Sequence, residues 1–221
     1  MNVKRKIEIL LLVLGGCMLA AALGLLFYFH WQDRRAGAAA DELTGQVEAV
    51  LEAEERIAPE DGRQVAYDET EKVPATEDSS EEKQETDDEA LNQALAALPE
   101  GVIGLIEFPE YERVLPVMGV YDEELLRQYP CVYGADECQE GQMIIAGHNY
   151  QSHFRCIRDF APENEVIFTA LDGEKTVYEV VKREEISGND RKALLAGDWD
   201  LTLFTCAINR QNRVVIRCRV K

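Results

Sequence analysis

The run Leu201-Thr202-Leu203-Phe204-Thr205-Cys206, near the C-terminus, is rich in β-branched and large apolar residues and ends on a cysteine. Seven residues later, Arg213 opens a second apolar run, Val214-Val215-Ile216. The polar residues between the two runs predict a turn, so the runs are expected to form an antiparallel hairpin. In that hairpin Cys206 and Arg213 can lie directly opposite each other, with their Cβ atoms about 5 Å apart.

The two-residue period of the second run indicates which arginine faces the cysteine. Arg213 and Arg217 both lie on the side of the strand opposite the expected core face. If Arg213 pairs with Cys206, then Arg217 pairs with Thr202, about 13 Å further along the strand. Arg210 lies in the turn and needs a particular loop shape to reach the thiol. Arg213 is therefore the predicted partner of Cys206.

A thiol beside a permanent cation is a candidate nucleophile. The cation favours the thiolate, and the same guanidinium can hold the oxyanion formed when the thiolate attacks a carbonyl. Such a site also needs an acid and a base, and the chain has three histidines. His30 ends a long apolar segment, whereas His148 follows an apolar run that breaks at Gly147, a position typical of catalytic side chains. His148 is therefore the predicted acid and base, with His153 as the fallback.

These three motifs together resemble those of a known family. Thr202-Leu203-Phe204-Thr205-Cys206, the downstream Arg213 and the upstream Ala146-Gly147-His148 are similar to those of sortases, the membrane-anchored cysteine transpeptidases of Gram-positive bacteria. The resemblance covers residues 100–221 and implies an eight-stranded β-barrel. It implies that Cys206, His148 and Arg213 are catalytic and that Thr205 shapes the substrate groove beside the thiol.

The resemblance also implies acyl transfer in two halves. The thiol cleaves a threonine–glycine bond in the C-terminal sorting signal of a secreted protein, and an amine on a peptidoglycan precursor or a pilin subunit releases the thioacyl intermediate. The short stretch from Lys182 to Asp200 is closer to the class A or class D pattern than to class B, which has a helix-bearing insertion before the cysteine strand. Neither a metal nor another cofactor is predicted. A membrane-tethered cysteine hydrolase and a non-catalytic surface scaffold on the same fold remain as alternatives.

Residues 99–221, the predicted catalytic domain, read mostly as β-structure. Short β-prone runs, separated by turn residues, occur at Val102–Phe108, Arg113–Val117, Gln142–Ala146, Glu165–Ala170, Thr176–Lys182, Asp200–Cys206 and Arg213–Val220. Short helices are expected at Asp122–Tyr129 and Arg191–Ala196. Short strands at even spacing favour a barrel or a sandwich.

The N-terminal part of the chain has a different composition. From Ile9 to Phe29 the chain is apolar for 21 residues, and such a helix would be roughly 31 Å long, enough to span a bilayer core. Residues 7–31 are predicted to form one transmembrane helix, and the basic residues 1–6 a cytoplasmic tail, with the rest of the chain extracellular. A cleaved signal peptide is less favoured because no small-residue cleavage site follows the apolar run.

Residues 32–98 are predicted to form an acidic extracellular linker. From Asp68 to Glu89 there are eleven acidic residues against two lysines, so a disordered and extended segment is expected. Residues 41–57 have helical spacing, and the run from Leu91 to Leu98 predicts a helical turn or two. The net charge of −19 argues against nucleic acid as a partner.

Five cysteines lie outside the predicted transmembrane segment, an odd number, so at least one thiol must stay unpaired if the others form bridges within the chain. Cys206 is expected to be that free thiol. Cys131 and Cys138 are close enough in sequence to bridge across a turn, but spacing alone leaves this open.

Overall fold

The computed structural model describes residues 3–57, 78–138, 141–209 and 211–221. Residues 58–77 of the predicted linker, and the turn residue Arg210, lie outside the described residues. In chain order the elements are α1 (Val3–Ile57), α2 (Asp78–Ala97), β1 (Val102–Phe108), β2 (Arg113–Met118), α3 (Glu123–Leu126), β3 (Cys131–Val132), β4 (Met143–Ala146), β5 (Glu165–Ala170), β6 (Lys175–Ser187), α4 (Arg191–Leu195), β7 (Leu201–Cys206) and β8 (Asn212–Val220). Three 3₁₀ turns, Pro109–Tyr111, Ala135–Glu137 and Phe154–Asp159, complete the domain.

The eight strands form a closed barrel in the order β1-β2-β3-β4-β7-β8-β6-β5. Neighbouring strands are antiparallel except for the pairs β2–β3 and β4–β7, which are parallel. The expected eight-stranded barrel is confirmed, and each of the seven predicted runs lies on a strand. The eighth strand, β3, is only two residues long, too short to show a two-residue period in the sequence.

The barrel interior is filled by alternate residues of each strand, as the pleat of a strand requires. On β7 and β8 the inward residues of the main core are Leu201, Leu203, Val214, Ile216 and Cys218. The outward residues Phe204 and Val215 belong to a second cluster, which α4 helps to cover. The predicted core face of β8 is therefore correct, and Cys206 and Arg213 lie on the outward face.

Both predicted short helices are present, and each begins at an aspartate. The Asp122 carboxylate accepts hydrogen bonds from the backbone N–H groups of Glu124 and Leu125, and the Asp190 carboxylate accepts one from Ala193. An aspartate at this position satisfies backbone donors that have no partner within the helix. Helix α3 ends earlier than expected, at Leu126.

Residues 32–57, the first part of the predicted linker, continue α1 without a break, and the helix indicated by the spacing of residues 41–57 is confirmed. Five side chains at spacings of three or four residues are each 3% exposed or less: Ala36, Ala40, Leu43, Val47 and Val50. Leu43 and Val47 pack against residues of β1, β2 and β3. The acidic average of this region conceals an apolar stripe, and burial of that stripe on the barrel stabilises the helix.

The disordered, extended segment expected from Asp68 to Glu89 is wrong from Asp78 onward, because α2 spans Asp78–Ala97. Glutamate, glutamine, alanine and leucine are strong helix formers, so an acidic segment of this composition can be helical. Helix α2 packs against α1, which gives it the tertiary support that an isolated helix lacks.

Helix α1 is also long and apolar enough to cross a membrane. Its residues 10–31 are exposed, in contrast with the partly buried residues 32–57. An apolar helix with lipid-facing side chains satisfies all its backbone groups internally and suits a bilayer. The N-terminal apolar helix thus suggests a single-pass membrane anchor that continues directly into the helix packed on the barrel.

Candidate active site

The hairpin of β7 and β8 has the predicted register. Cys206 pairs directly with Arg213, and Thr202 pairs with Arg217. Cys206 is half-buried and is the last residue of β7. Within the described residues, the Arg213 guanidinium makes one hydrogen bond, of 3.5 Å, to the backbone oxygen of Asn212, so its remaining donors can bind an anion.

The backbone beneath Arg213 leaves room for its guanidinium. A Cβ atom at Gly188 would lie 3.2 Å from Arg213 Nη1 and 2.6 Å from the oxygen of Gln211. The Gly188 N–H donates to that same oxygen at 2.8 Å. A side chain at residue 188 would therefore disturb both the β6–β8 pairing and the arginine beside the thiol.

The parallel pair β4–β7 brings His148 to the other side of Cys206. Ala146 pairs with Phe204, and the Gly147 N–H continues the pairing by donating to the oxygen of Phe204 at 3.0 Å. His148 and Cys206 each lie two residues beyond the Ala146–Phe204 pair. Since neighbouring strands are about 4.8 Å apart, this register brings the backbone of His148 close to that of Cys206. The central strand β7 thus places Cys206 between β8, which contains Arg213, and the segment after β4, which contains His148.

Thr205 forms a hydrogen bond with the backbone of the residue that precedes His148. Its side chain is 1% exposed, and its Oγ1 donates to the oxygen of Gly147 at 2.7 Å. Thr205 lies on the inward face of β7, and its role in shaping the substrate groove stays a prediction. Gly147 itself must be a glycine, since a Cβ there would lie 2.3 Å from Cγ of Phe154.

The environment of His148 favours its neutral form. Burial lowers the pKa of His148, and the positive charge of Arg127 lowers it further. The imidazole ring is half-buried and lies 4.8 Å from the ring of Tyr150, centre to centre. A neutral imidazole can take up a proton, which is the first task of a general base.

His153, the fallback histidine, is placed where no substrate can reach it. Its side chain is 0% exposed, beside the backbone of Ala36 on α1. Burial lowers the pKa of His153 to about 4, against smaller opposing contributions from the Ala36 backbone and the Asp33 carboxylate. The structure therefore assigns His153 to the interface between α1 and the barrel.

Arg217 is fully engaged in holding the fold. Its guanidinium is 2% exposed and donates to Glu184 Oε1 at 2.9 Å, to Thr202 Oγ1 at 3.1 Å and to the backbone oxygens of Leu194 and Ala193 at 2.7 and 2.6 Å. It thereby caps carbonyl groups at the end of α4, where the helix leaves acceptors with few backbone partners. No donor of this arginine is directed toward Cys206.

Three aromatic side chains form a cluster on the outward face of β7, the face that also contains Cys206. This cluster was not predicted. Phe204, two residues before the thiol, packs edge-to-face on Tyr133 at 5.2 Å, and Tyr133 packs in the same way on Tyr121 at 5.1 Å. Phe204 could have been placed here from the period of β7. The two tyrosines lie in irregular segments on either side of α3 and β3, where no periodicity reports which way a side chain faces.

The other thiols differ from Cys206 in their surroundings. None of the six cysteines, all of which lie within the described residues, forms a disulfide, so the possible Cys131–Cys138 bridge does not form. Burial raises the pKa of Cys131 and Cys156 to about 11 and that of Cys218 to about 12. Thiols of this kind stay protonated near neutral pH and are poor nucleophiles. Within the residues that the structure describes, no group of three or more histidine, cysteine or acidic side chains could hold a metal ion.

A closed eight-stranded barrel with a cysteine and an arginine paired on adjacent strands, and a histidine two residues beyond the end of the next strand, defines a candidate cysteine acyl-transfer protein. The sequence-family model described as "Sortase domain" matches residues 106–221, which is more than half of the chain. The chain therefore belongs to the sortase family, whose members are cysteine transpeptidases. A comparison with curated proteins found no match.

Several solved sortase structures are similar to this chain. A sortase D5 transpeptidase of Clostridium perfringens is 20% identical with a TM-score of 0.49, covering 61% of this chain and 88% of its own. A lid mutant of sortase A from Corynebacterium diphtheriae is 21% identical with a TM-score of 0.49, covering 79% and 93%. Sortase C1 of Streptococcus agalactiae is 19% identical with a TM-score of 0.49, covering 63% and 76%. The family assignment follows from the match over residues 106–221 and not from these similarities.

Proposed function

We propose that the chain is a cysteine transpeptidase held at the cell membrane by α1, with its N-terminus cytoplasmic and its barrel outside the cell. It would cleave the C-terminal sorting signal of a secreted protein and transfer that protein to an amine of a cell-wall precursor or a pilin subunit. The observation that carries this proposal is the β4-β7-β8 arrangement, in which Cys206 pairs with Arg213 and the backbone of His148 follows on the adjacent strand. The assignment to class A or class D remains a prediction.

The first half of the reaction forms a thioester. Sγ of Cys206 bonds to the carbonyl carbon of the threonine–glycine peptide, and the thiol proton passes to the neutral imidazole of His148. The carbonyl oxygen becomes an oxyanion, which the unengaged donors of Arg213 are suited to bind. His148 then returns the proton to the glycine nitrogen, and the carbon–nitrogen bond breaks.

The second half releases the product. The acceptor amine attacks the thioester carbon and loses a proton to His148, while Arg213 again holds the oxyanion. The carbon–sulfur bond breaks, and the thiolate of Cys206 recovers the proton from His148. The lowered pKa of His148 suits both halves, because each begins with an imidazole that must accept a proton.

The direct test is a peptide-cleavage screen with the full chain in phospholipid nanodiscs. A library of sorting-signal peptides is incubated with a triglycine amine, and mass spectrometry separates the new amide from the hydrolysed acid. We expect an amide product from the wild type and at least about a 1,000-fold loss of turnover in Cys206→Ala and in His148→Ala. Cys156→Ser serves as the matched thiol control and should keep turnover, because burial keeps the Cys156 thiol protonated.

The outcomes separate the alternatives. Cleavage that yields only the hydrolysed acid indicates a membrane-tethered hydrolase with the same dyad. No cleavage of any peptide favours a non-catalytic scaffold. Full cleavage by Cys206→Ala would show that the thiol has no part in the reaction.

A further inference from the structure

Helix α1, whose N-terminal part is the candidate membrane anchor, also contacts the loop that contains His148. This loop runs from Gly147 to His153 and is closed by two backbone hydrogen bonds, from Phe154 N–H to the oxygen of His148 and from His153 N–H to the oxygen of Tyr150, both 3.1 Å long. The bond from Phe154 to His148 joins the two ends of the loop, and the bond from His153 to Tyr150 closes its tip. A shift of the tip is therefore transmitted to the backbone of His148.

Ser152, at the tip of this loop, is tied to Asp33 of α1. The Ser152 N–H donates to Asp33 Oδ1 at 3.1 Å. The Ser152 hydroxyl lies 2.7 Å from the same Oδ1 and 3.1 Å from the backbone oxygen of Asp33, and it can donate its one proton to either. The two residues are 119 positions apart in the sequence, so this contact is purely tertiary.

The face of α1 around Asp33 is shaped for close approach to the loop. Gly37 is one turn further along the helix, and a Cβ there would lie 2.9 Å from Cβ of Ser152. Ala36, between the two, is 3% exposed and lies beside the fully buried His153. Aspartate, alanine and glycine thus present a hydrogen-bond acceptor and two small surfaces, where larger side chains would separate the loop from the helix.

The same part of α1 lies near Tyr150, the ring that packs against His148. A pocket of about 300 Å³ is lined by Trp31, Gln32 and Arg35 of α1, by Arg127 beside α3 and by Tyr150. Tyr150 is the aromatic neighbour of His148, and Arg127 is the charge that lowers its pKa. The contact between helix and loop therefore adjoins the groups that surround the candidate acid and base.

We propose that Asp33 is a positioning residue for the reaction: by holding Ser152 it fixes the His148 loop relative to Cys206. The anchor helix is then part of the catalytic unit and not only a tether, and the loop is held four residues beyond Phe29, where the apolar run ends. This inference rests on the proposed role of His148 as acid and base. A displacement of about 1 Å in a catalytic group can cost about 100-fold in rate, so a clamp of this kind is worth testing kinetically.

The test compares four variants of the full chain in phospholipid nanodiscs, with the peptide and triglycine assay as readout. We expect Asp33→Ala to lower kcat about 10-fold with KM unchanged, because it displaces the acid and base and not the substrate. Asp33→Asn should keep at least about half of wild-type kcat, since the amide oxygen accepts the same two hydrogen bonds. Ser152→Ala removes the hydroxyl contact but keeps the backbone N–H bond to Asp33 Oδ1, so its kcat should lie between those of the wild type and Asp33→Ala. The double variant should be no worse than Asp33→Ala, because Asp33→Ala already removes both contacts to the carboxylate.

The matched control is Glu52→Ala, on the same helix, which removes an exposed pair with Arg56 and should leave kcat and KM unchanged. Hydrogen exchange at the Ser152 amide gives a second readout that needs no activity, and we expect it to be faster in Asp33→Ala than in Asp33→Asn. Wild-type kcat in Asp33→Ala, or equal losses in Asp33→Ala and Asp33→Asn, would overturn the inference. If the wild type itself shows no turnover, the proposed function fails, and unchanged amide exchange in Asp33→Ala would still reject the clamp.

Discussion

The two ends of the β7–β8 hairpin place an arginine on the same outward face, and the two arginines have opposite surroundings. At one end Arg217, opposite Thr202, is 2% exposed and donates four hydrogen bonds. At the other end Arg213, opposite Cys206, is half-buried and has one long hydrogen bond within the described residues. The strand period cannot distinguish these positions, because they are four residues apart and face the same way.

The difference comes from what covers each end. The last turn of α4 and Glu184 of β6 surround Arg217 with oxygen atoms, so its charge is used to hold a helix on the barrel. At Gly188 the absence of a side chain leaves space beside the Arg213 guanidinium instead. An arginine with four of its five donors engaged stabilises the fold, and one with most of its donors unused can bind an anion that forms during a reaction.

The largest effect on stability is expected at Arg217, the buried arginine. Arg217→Ala removes a buried guanidinium together with its four hydrogen bonds, and we expect it to lower the free energy of unfolding by about 3–5 kcal/mol. Chemical denaturation measures this, with Arg219→Ala as the control. Arg219 is on the same strand face but pairs with the exposed Asp198, so its loss should cost at most about 1 kcal/mol. Equal effects would show that the Arg217 contacts are not stabilising.

The two histidines of the 147–153 loop also differ in burial: His153 is buried, and His148 is half-buried. The folded-state pKa of His153 is about 4, below the ordinary value of about 6.5. The unfolded chain therefore binds more protons between these values, so the stability from neutral His153 is complete above about pH 6.5 and is lost as the pH falls toward 4. We expect a loss of about 3 kcal/mol across this range.

This pH dependence can be measured as the difference between two proteins. Denaturation of the wild type and of His153→Gln at pH 7.5 and at pH 4 cancels the contribution of the carboxylates common to both. The variant should lose less stability on acidification. An identical loss in both proteins would mean that His153 is not protected from protonation by its burial against α1.

The smallest of the three effects is expected at Arg213, the half-buried arginine, where a substitution should change the reaction rate and not the stability. Arg213→Lys keeps a positive charge but loses the forked donor geometry of a guanidinium. We expect kcat to fall about 100-fold, with the midpoint of thermal unfolding within a few degrees of the wild type. If Arg213→Lys were fully active and Arg217→Lys inactive although folded, the roles assigned to the two ends would have to be exchanged.

Local sequence signals were sufficient for the strands and for the Cys206–Arg213 pair. A two-residue apolar period and a polar turn determine which residues face each other in a hairpin, whatever else surrounds it. The same reasoning placed His148 at the end of a strand, although the parallel β4–β7 pairing that brings it toward Cys206 joins distant segments. Strand β3 escaped prediction because two residues carry no period.

The order of the linker depends in part on contacts that the sequence does not show. Helical spacing was visible at residues 41–57, yet the stripe of Ala36, Ala40, Leu43, Val47 and Val50 is buried only because a distant surface covers it. Leu43 and Val47 of this stripe pack on residues of β1, β2 and β3, which follow much later in the chain. Composition averages over both faces of a helix, so it cannot report a stripe that needs a distant partner.

The sequence by itself determined the strands, the hairpin register and the apolar length of the anchor, because each depends on residues close together in the chain. Only the tertiary structure decided which arginine is engaged, which histidine is sealed, and that Asp33 meets Ser152. These outcomes depend on which distant atoms fill the space around a side chain, and hydrogen bonding and desolvation act through that space and not along the sequence.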